Sequence, residues 1–327
     1  MESTPSAAAS DGGDDHINRV LAISVDGLNP RAITKLGRSG APAFHRMMRE
    51  GAFTFNARTV AGSTITLPNH TSMLTSRRLD PAHGGTGVVL NRDNGGTVAK
   101  SAGRYVPSVF DVVHDRGGST ALYATKAKFR FFVRTWNANG NPDKVGTNQG
   151  RAKIDKVIIS GNNTSVVEKL KTELRTSPKT FTFLHIALPD SAGHRHGFMS
   201  PAYLNAVKSS DRLLGSLLTT IAAKPSLRRH TLVVLTADHG GDGKGHDDKT
   251  KLQNYRVPFM VWGPGVPAGR NLYSLNSTYR SPGTARPGYR GKQPIRNGGI
   301  GNLATDVLDL PPIGGSQFNR AQNLDVF

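Results

Sequence analysis

The sequence predicts an α/β fold: a mostly parallel central sheet with helices on both faces. Three observations carry that reading. Short apolar runs rich in β-favouring residues alternate with amphipathic helical stretches, the pattern of strands joined by crossover helices. Three of the runs end in an acid, at Asp26, Asp190 and Asp238, and in such sheets ligands bind outside the carboxyl ends of the strands. The 327 residues are enough for one large α/β domain.

In chain order, residues 1–18 are small, polar and acidic and read as a flexible leader. They lack the apolar core of a signal peptide, as expected of a mature secreted chain without its signal; a cytoplasmic chain with a loose tail would look the same. Residues 19–327 read as a single domain. "RVLAISVDG" is a buried strand that delivers Asp26. A helix follows through "RAITKLGRSGAPAFHRMMREG", broken near Gly40-Ala41-Pro42. In "ITLPNHTSML", Thr66 sits at the mouth of a helix whose early Pro68 needs no N–H partner. Residues 76–103 read as long Gly-, Asp- and Asn-rich loops, and a loop-rich insertion is expected over about 76–175. Inside it, "YVPSVFDVVHDRG" is a helix closed by Gly117 and "STALYATK" a strand. "TFTFLHIALPD" is a third strand, leading to Asp190. The stretch from Pro201 to Ile221 is an amphipathic helix with Leu204, Val207, Leu214, Leu217, Leu218 and Ile221 on one stripe. "HTLVVLTADHG" and "VPFMVWGPG" are strands, and "GIGNLATDVLDL" is a late helix.

Composition narrows the chemistry. With no cysteine there is no disulfide, thiol nucleophile or Cys-based zinc site. Forty-two Lys and Arg against 23 Asp and Glu give +19, which favours anionic partners. No dedicated nucleic-acid motif accompanies the charge, and no apolar run reaches the ~20 residues that cross a bilayer.

The histidines sharpen the site. "PDSAGHRHG" holds Asp190, His194 and His196; "TADHGG" holds Asp238 and His239; "GKGHDD" holds His246. Carboxylates and imidazoles are zinc-type ligands, and gathering so many at one rim of a sheet is costly unless metals neutralise them. Six such ligands suit two divalent ions, a known arrangement for phosphoryl transfer. A Thr66 hydroxyl beside them has two readings, helix cap or activated nucleophile. The helix mouth would add N–H donors to a phosphate oxygen.

"AISVDG", "TITLPNH", "PDSAGHRHG", "TADHGG", the "GH" of His246 and "VPFMVWGPG", in this order, resemble the alkaline phosphatase superfamily. They are most similar to its type I phosphodiesterase/nucleotide pyrophosphatase branch. The resemblance implies an alkaline phosphatase-like catalytic domain and a metal-dependent phosphoester hydrolase with two divalent metal ions, zinc by family habit. It implies that Thr66 is the nucleophile that forms a phospho-enzyme. Asp26, Thr66, Asp238 and His239 match the ligands of one metal, and Asp190, His194 and His246 those of the other. Asn69 matches a donor to a phosphoryl oxygen. His196 lies outside the pattern, and His70 reads as structural. A sulfatase would need Cys or Ser where Thr66 stands, and cofactor-independent phosphoglycerate mutases carry a large inserted domain for which this chain is short.

The resemblance implies an anionic phosphoester partner, nucleotide-like or another diester. "TKAKFRFFVR" supplies Lys126, Lys128 and Arg130 among Phe129, Phe131 and Phe132. The favoured reading is a basic loop with its aromatics packed inward. The alternatives are cations that hold the extra charge of a phosphate monoester, as in an alkaline phosphatase, or aromatics that stack a base. A non-catalytic anion-binding protein on the same fold is a further alternative.

Overall fold

The computed structural model describes residues 16–137 and 151–327. In chain order its elements are β1 (Arg19–Val25), α1 (Pro30–Gly40), α2 (Pro42–Glu50), β2 (Ala52–Arg58), α3 (Thr66–Thr75), α4 (Val98–Ala102), α5 (Val109–His114), β3 (Thr120–Ala124), α6 (Arg130–Trp136), β4 (Lys156–Ile159) and α7 (Asn163–Thr176). The second half adds β5 (Phe181–Ile186), α8 (Leu188–His196), α9 (Pro201–Ala223), α10 (Pro225–Arg228), β6 (Thr231–Thr236), α11 (Leu252–Tyr255), β7 (Arg256–Trp262), β8 (Arg270–Asn271), α12 (Leu272–Leu275) and α13 (Ile300–Val307).

The eight strands form one sheet in the order β4-β3-β5-β1-β6-β7-β2-β8. From β4 to β6 all pairs are parallel; β7 runs antiparallel to β6 and β2. The expected α/β architecture is therefore present, with an antiparallel turn on one side. β1 sits between β5 and β6, in register with both: Val25 opposite Ile186 and Ser24 opposite Thr236. Three neighbouring parallel strands thus end at one rim, and Asp26, Asp190 and Asp238 follow them. All six residues of β5 and of β6 are buried, which is why these strands read as near-continuous apolar runs.

α1 and α2 meet at Ala41, with Pro42 opening the second helix, as the sequence indicates. α9 buries Val207, Leu214, Leu217, Leu218 and Ile221, while Leu204 is half-buried. The Tyr203 hydroxyl donates to the Gly27 carbonyl at 2.8 Å and accepts from the Asn29 N–H at 2.9 Å. This long helix therefore holds the turn after Asp26 in place.

Several expectations change. Among its described residues, the segment about 76–175 is more than a loop-rich insertion: it supplies β3, β4, α4 to α6 and most of α7, and β3 and β4 are two strands of the central sheet. β4 is a four-residue edge strand with no fully buried side chain, so it lacks the apolar signature that reveals its neighbours. β2 was not anticipated either; it is antiparallel, with its register interrupted between Thr54 and Ala57. Residues 138–150 of the expected insertion lie outside the described residues, as do the leader's first fifteen. Its last three are anchored rather than loose: Ile17 is buried, the Asn18 N–H donates to the His230 carbonyl, and His230 Nδ1 lies 2.9 Å from the His16 carbonyl.

Candidate active site

Local chemistry places each acid. The Gly27 N–H donates to Asp238 Oδ1 at 3.1 Å, and the Asp190 N–H to the Asp26 carbonyl at 3.1 Å. These bonds lock the three strand ends together. Gly27 has φ +70°, and a Cβ there would lie 2.9 Å from the Asp190 Cα. Only glycine permits that approach. After β6, Gly241 faces the Phe198 ring, which a Cβ would meet at 2.2 Å. Asp190 lies in the first turn of α8, with His194 four residues later on the same helix face.

Two groups of potential ligands result. Asp26, Asp238 and His239 present ligand atoms within 4.8 Å of one another, and so do Asp190, His194 and His246. His239 Nε2 lies 3.2 Å from Asp238 Oδ2, 3.5 Å from Asp26 Oδ1 and 4.0 Å from Asp190 Oδ1, so the groups adjoin. The His239 and His246 rings stack at 3.6 Å, and His194 Nε2 is 3.0 Å from His246 Nε2. Thr66 Oγ1 lies 3.5 Å from His239 Nε2. His196 is exposed and outside both groups.

The donor set fits divalent ions. Asp26 Oδ1, Asp190 Oδ1 and Asp238 Oδ2 are each buried without a hydrogen-bond partner. A buried, unpaired carboxylate oxygen costs several kcal/mol, and here three face imidazole nitrogens. Lys126 takes other oxygens, its Nζ lying 2.6 Å from both Asp26 Oδ2 and Asp190 Oδ2.

Burial and mutual repulsion separate the acids. Burial pushes Asp26 up, but Lys126, His185 and His239 hold it well below the usual carboxylate range. Asp190 is raised by burial and by Asp26, yet His194, His239 and Lys126 bring it to about 2. Asp238 is pushed well above its ordinary value by burial and by the charge on Asp26. Burial lowers His239, and it lowers His246 to about 4 with help from His239. The Asp190 carboxylate, its Oδ1 3.3 Å from His194 Nε2, raises His194. Burial alone would lower Lys126, but the carboxylates of Asp26, Asp190 and Asp238 raise it.

The helix at Thr66 differs from expectation. Ile65 is the cap position of α3 and Thr66 its first residue, so the cap reading of Thr66 falls away. Pro68 has no N–H, the Leu67 N–H donates to Asn91 Oδ1 at 3.1 Å, and the Asn69 N–H reaches the Ile65 carbonyl. The helix mouth therefore offers a ligand only the Thr66 N–H.

Asn69 does not face the site. It is fully buried; its Nδ2 donates to the Ser63 and Ile65 carbonyls, and its Oδ1 accepts from the Val60 N–H and Asn297 Nδ2. One helical turn beyond Thr66, it is carried inward and spent on the preceding loop. The amide at the site is Asn91, unanticipated from the sequence. Its Oδ1 accepts from the Leu67 N–H and from Lys128 Nζ, both at 3.1 Å, and its Nδ2 has no partner among the described residues. His185 was also missed, although a histidine in an otherwise apolar buried strand is a signal. Its Nε2 lies 2.8 Å from Asp26 Oδ2 and its Nδ1 3.0 Å from Thr125 Oγ1.

His70 is structural, as expected: buried, 2.8 Å from Ser24 Oγ and from the Thr66 carbonyl, and edge-on to Phe129. Phe129, Phe131 and Phe132 are buried in the core, so the inward-packing reading holds and base stacking on them is excluded. Lys126 and Lys128 converge on the site. Arg130 is exposed, in a neighbouring cavity, and does not reach the carboxylates.

This is an alkaline phosphatase-like fold, as solved structures show. Murine ectonucleotide pyrophosphatase / phosphodiesterase 5, in an inactive form in complex with AMP, superposes with a TM-score of 0.65 and 14% identity, covering 94% of this chain and 99% of that one. An alkaline phosphatase superfamily protein from Vibrio parahaemolyticus superposes with a TM-score of 0.55 and 12% identity, covering 90% and 66%. Within that superfamily, the type I phosphodiesterase / nucleotide pyrophosphatase profile matches residues 20–255, and the chain belongs to this family. GPI ethanolamine phosphate transferase 1 from Yarrowia lipolytica is 35% identical over 129 residues, 36% of this chain; the match spans only 13% of that protein's length.

Proposed function

We propose that this protein is a phosphoester hydrolase that attacks phosphorus with Thr66 and prefers diesters. One observation carries the reading: Thr66 Oγ1 stands 3.5 Å from His239 at the junction of two Asp/His groups whose carboxylates each keep a buried unpaired oxygen. Asp26, Asp238 and His239, with Thr66, would hold one divalent ion, and Asp190, His194 and His246 the other. Such ions, zinc by donor chemistry, supply Lewis acidity and lower the pKa of a hydroxyl beside them.

The chain's residues do the rest. The Thr66 hydroxyl gives up its proton as Oγ1 bonds to phosphorus, and the bond to the leaving alcohol, which takes up a proton, breaks on the opposite side, yielding a phosphothreonine that keeps the other ester group. Water then attacks that phosphorus from the vacated side, releasing the phosphate monoester and restoring the hydroxyl. Among the described residues, Asn91 Nδ2 and the Thr66 N–H are free donors for a phosphoryl oxygen, the role that the resemblance implies for Asn69. An acceptor alcohol in place of water would make the same site a transferase, the activity named for the Yarrowia relative.

Thr66→Ala is expected to cut kcat on bis-p-nitrophenyl phosphate by at least ~10³-fold while leaving the melting curve in place. A variant keeping most of its activity would remove Thr66 as nucleophile. Chelation should abolish turnover and zinc restore it; the non-catalytic alternative expects neither.

A second reading, a monoesterase, is favoured by one observation: two ammonium groups converge here, Lys126 at 2.6 Å from two carboxylates and Lys128 on Asn91. A monoester carries one more negative charge than a diester. If these lysines meet it, p-nitrophenyl phosphate will be the better substrate. Lys128→Ala will then lower its kcat/KM about tenfold more than that of the diester.

A further inference from the structure

Each of the three site carboxylates commits one oxygen to protein donors and keeps the other unpaired. Asp238 Oδ1 accepts from the Gly27 N–H at 3.1 Å and the His239 N–H at 3.0 Å, leaving Oδ2. Asp190 Oδ2 accepts from Lys126 Nζ at 2.6 Å, leaving Oδ1. Asp26 Oδ2 meets both Lys126 Nζ at 2.6 Å and His185 Nε2 at 2.8 Å, leaving Oδ1. A carboxylate oxygen with two donors has both lone pairs engaged. His185 is held so that it donates here. The Thr125 N–H lies 3.3 Å from its Nδ1, and a backbone N–H only donates. Nδ1 therefore carries the lone pair, and the ring proton sits on Nε2, against Asp26. The Phe129 and His70 rings, 4.4 and 5.1 Å away between centroids, hold the imidazole in that orientation. A buried histidine among aromatic rings is ordinarily core packing. This one spends both nitrogens on the site, Nδ1 on the residue before Lys126 and Nε2 on a ligand-type carboxylate.

We propose that His185 is a positioning residue that keeps Asp26 a one-oxygen ligand, and so biases the site toward zinc over larger, oxygen-seeking divalent ions. One-oxygen carboxylates and imidazole suit zinc. Manganese favours sets richer in oxygen, and a freed Asp26 Oδ2 would supply one more. The proposal rests on the two-ion reading above and deepens it, since His185 touches neither the substrate nor the nucleophile and acts through Asp26.

The full chain, stripped of metal, is titrated calorimetrically with zinc and, separately, with manganese. His185→Asn withdraws the Nε2 donor. It is expected to weaken one zinc about 10- to 100-fold, and manganese less, so that the zinc-over-manganese preference falls at least ~fivefold. His185→Gln, whose amide nitrogen reaches the place of Nε2, should keep the preference within about twofold of the parent. In the Asp26→Asn chain, His185→Asn should cost no further zinc affinity, because its effect passes through that carboxylate. A preference unchanged in His185→Asn, a Gln variant no better than the Asn one, or a full second loss on top of Asp26→Asn would each overturn the proposal. A mere packing role lowers the melting temperature and leaves the preference alone. If His185→Asn does not fold, Thr125→Val, which takes the hydroxyl from Nδ1 at nearly constant volume, is read instead. Its preference is expected to fall about threefold, and an unchanged one would overturn the proposal equally. Bis-p-nitrophenyl phosphate turnover by the zinc-loaded parent is followed in parallel. Its absence, with the shift in preference intact, would sink the hydrolase reading and leave the role of His185 standing.

Discussion

Two asparagines separate what residue identity reveals from what geometry decides. Asn69 stands three residues after Thr66, and proximity in sequence suggested a catalytic donor. In the fold its amide makes four inward bonds and none to the site. Asn91, twenty-five residues beyond Thr66, is brought back by the loop so that its oxygen caps the Leu67 N–H. The two should fail differently. Asn69→Ala leaves the Val60 N–H unpaired and is expected to cost about 2–3 kcal/mol of stability, read as a lower midpoint in urea. Asn91→Ala should lower kcat by about 10²-fold, the usual effect of losing one transition-state donor, with the urea midpoint little changed. The reverse pattern would restore Asn69 to the site. The metal-type ligands were legible because aspartate and histidine are rare in buried runs and declare themselves. Asn91 was not, because an amide in a polar loop has no such contrast with its surroundings.

At the scale of elements, legibility followed burial. β1, β5 and β6 are almost wholly buried and read as strands at once. β4, at the sheet's edge, and β2, with its interrupted register, gave weaker patterns. α13 shows a different conflict. Its last turn carries Asp306, a negative charge at the negative end of the helix, near Asp309 and Asp325. Burial, with those two acids, raises Asp306 to about 6. A carboxyl that holds its proton more tightly when folded favours the folded state fully below its ordinary pKa. That contribution is lost as pH rises through about 6. Asp306→Asn is therefore expected to stabilise the protein at pH 8 by about 1 kcal/mol, after allowing for solvent screening of a half-exposed group. The gain should shrink below pH 6 and vanish near pH 4. Paired thermal melts at the two extremes check it; an equal gain at both would show that the charge is not the cause.

For the whole molecule, the site is where buried carboxylate charge weighs against folding. Three neighbouring strands, β5, β1 and β6, bring Asp190, Asp26 and Asp238 to one rim, and each leaves a buried oxygen unsatisfied. Lys126 offsets part of that charge, but one ammonium cannot answer three carboxylates. Divalent ions at this rim would bind the folded chain and not the unfolded one, so their free energy adds to stability by linkage. Zinc at about a thousand times its Kd contributes roughly 4 kcal/mol, and for a chain of this size that corresponds to a rise in Tm on the order of 10 °C. Asp26→Asn, which should weaken binding in the group containing His239, is expected to shrink the rise. His196→Ala, outside both groups, should leave it intact. Calorimetric scans of the chelated and zinc-loaded protein measure the shift directly. A Tm indifferent to zinc and chelator in the parent chain would mean that the rim resolves its charge without metal, and the two-ion reading would fail with it.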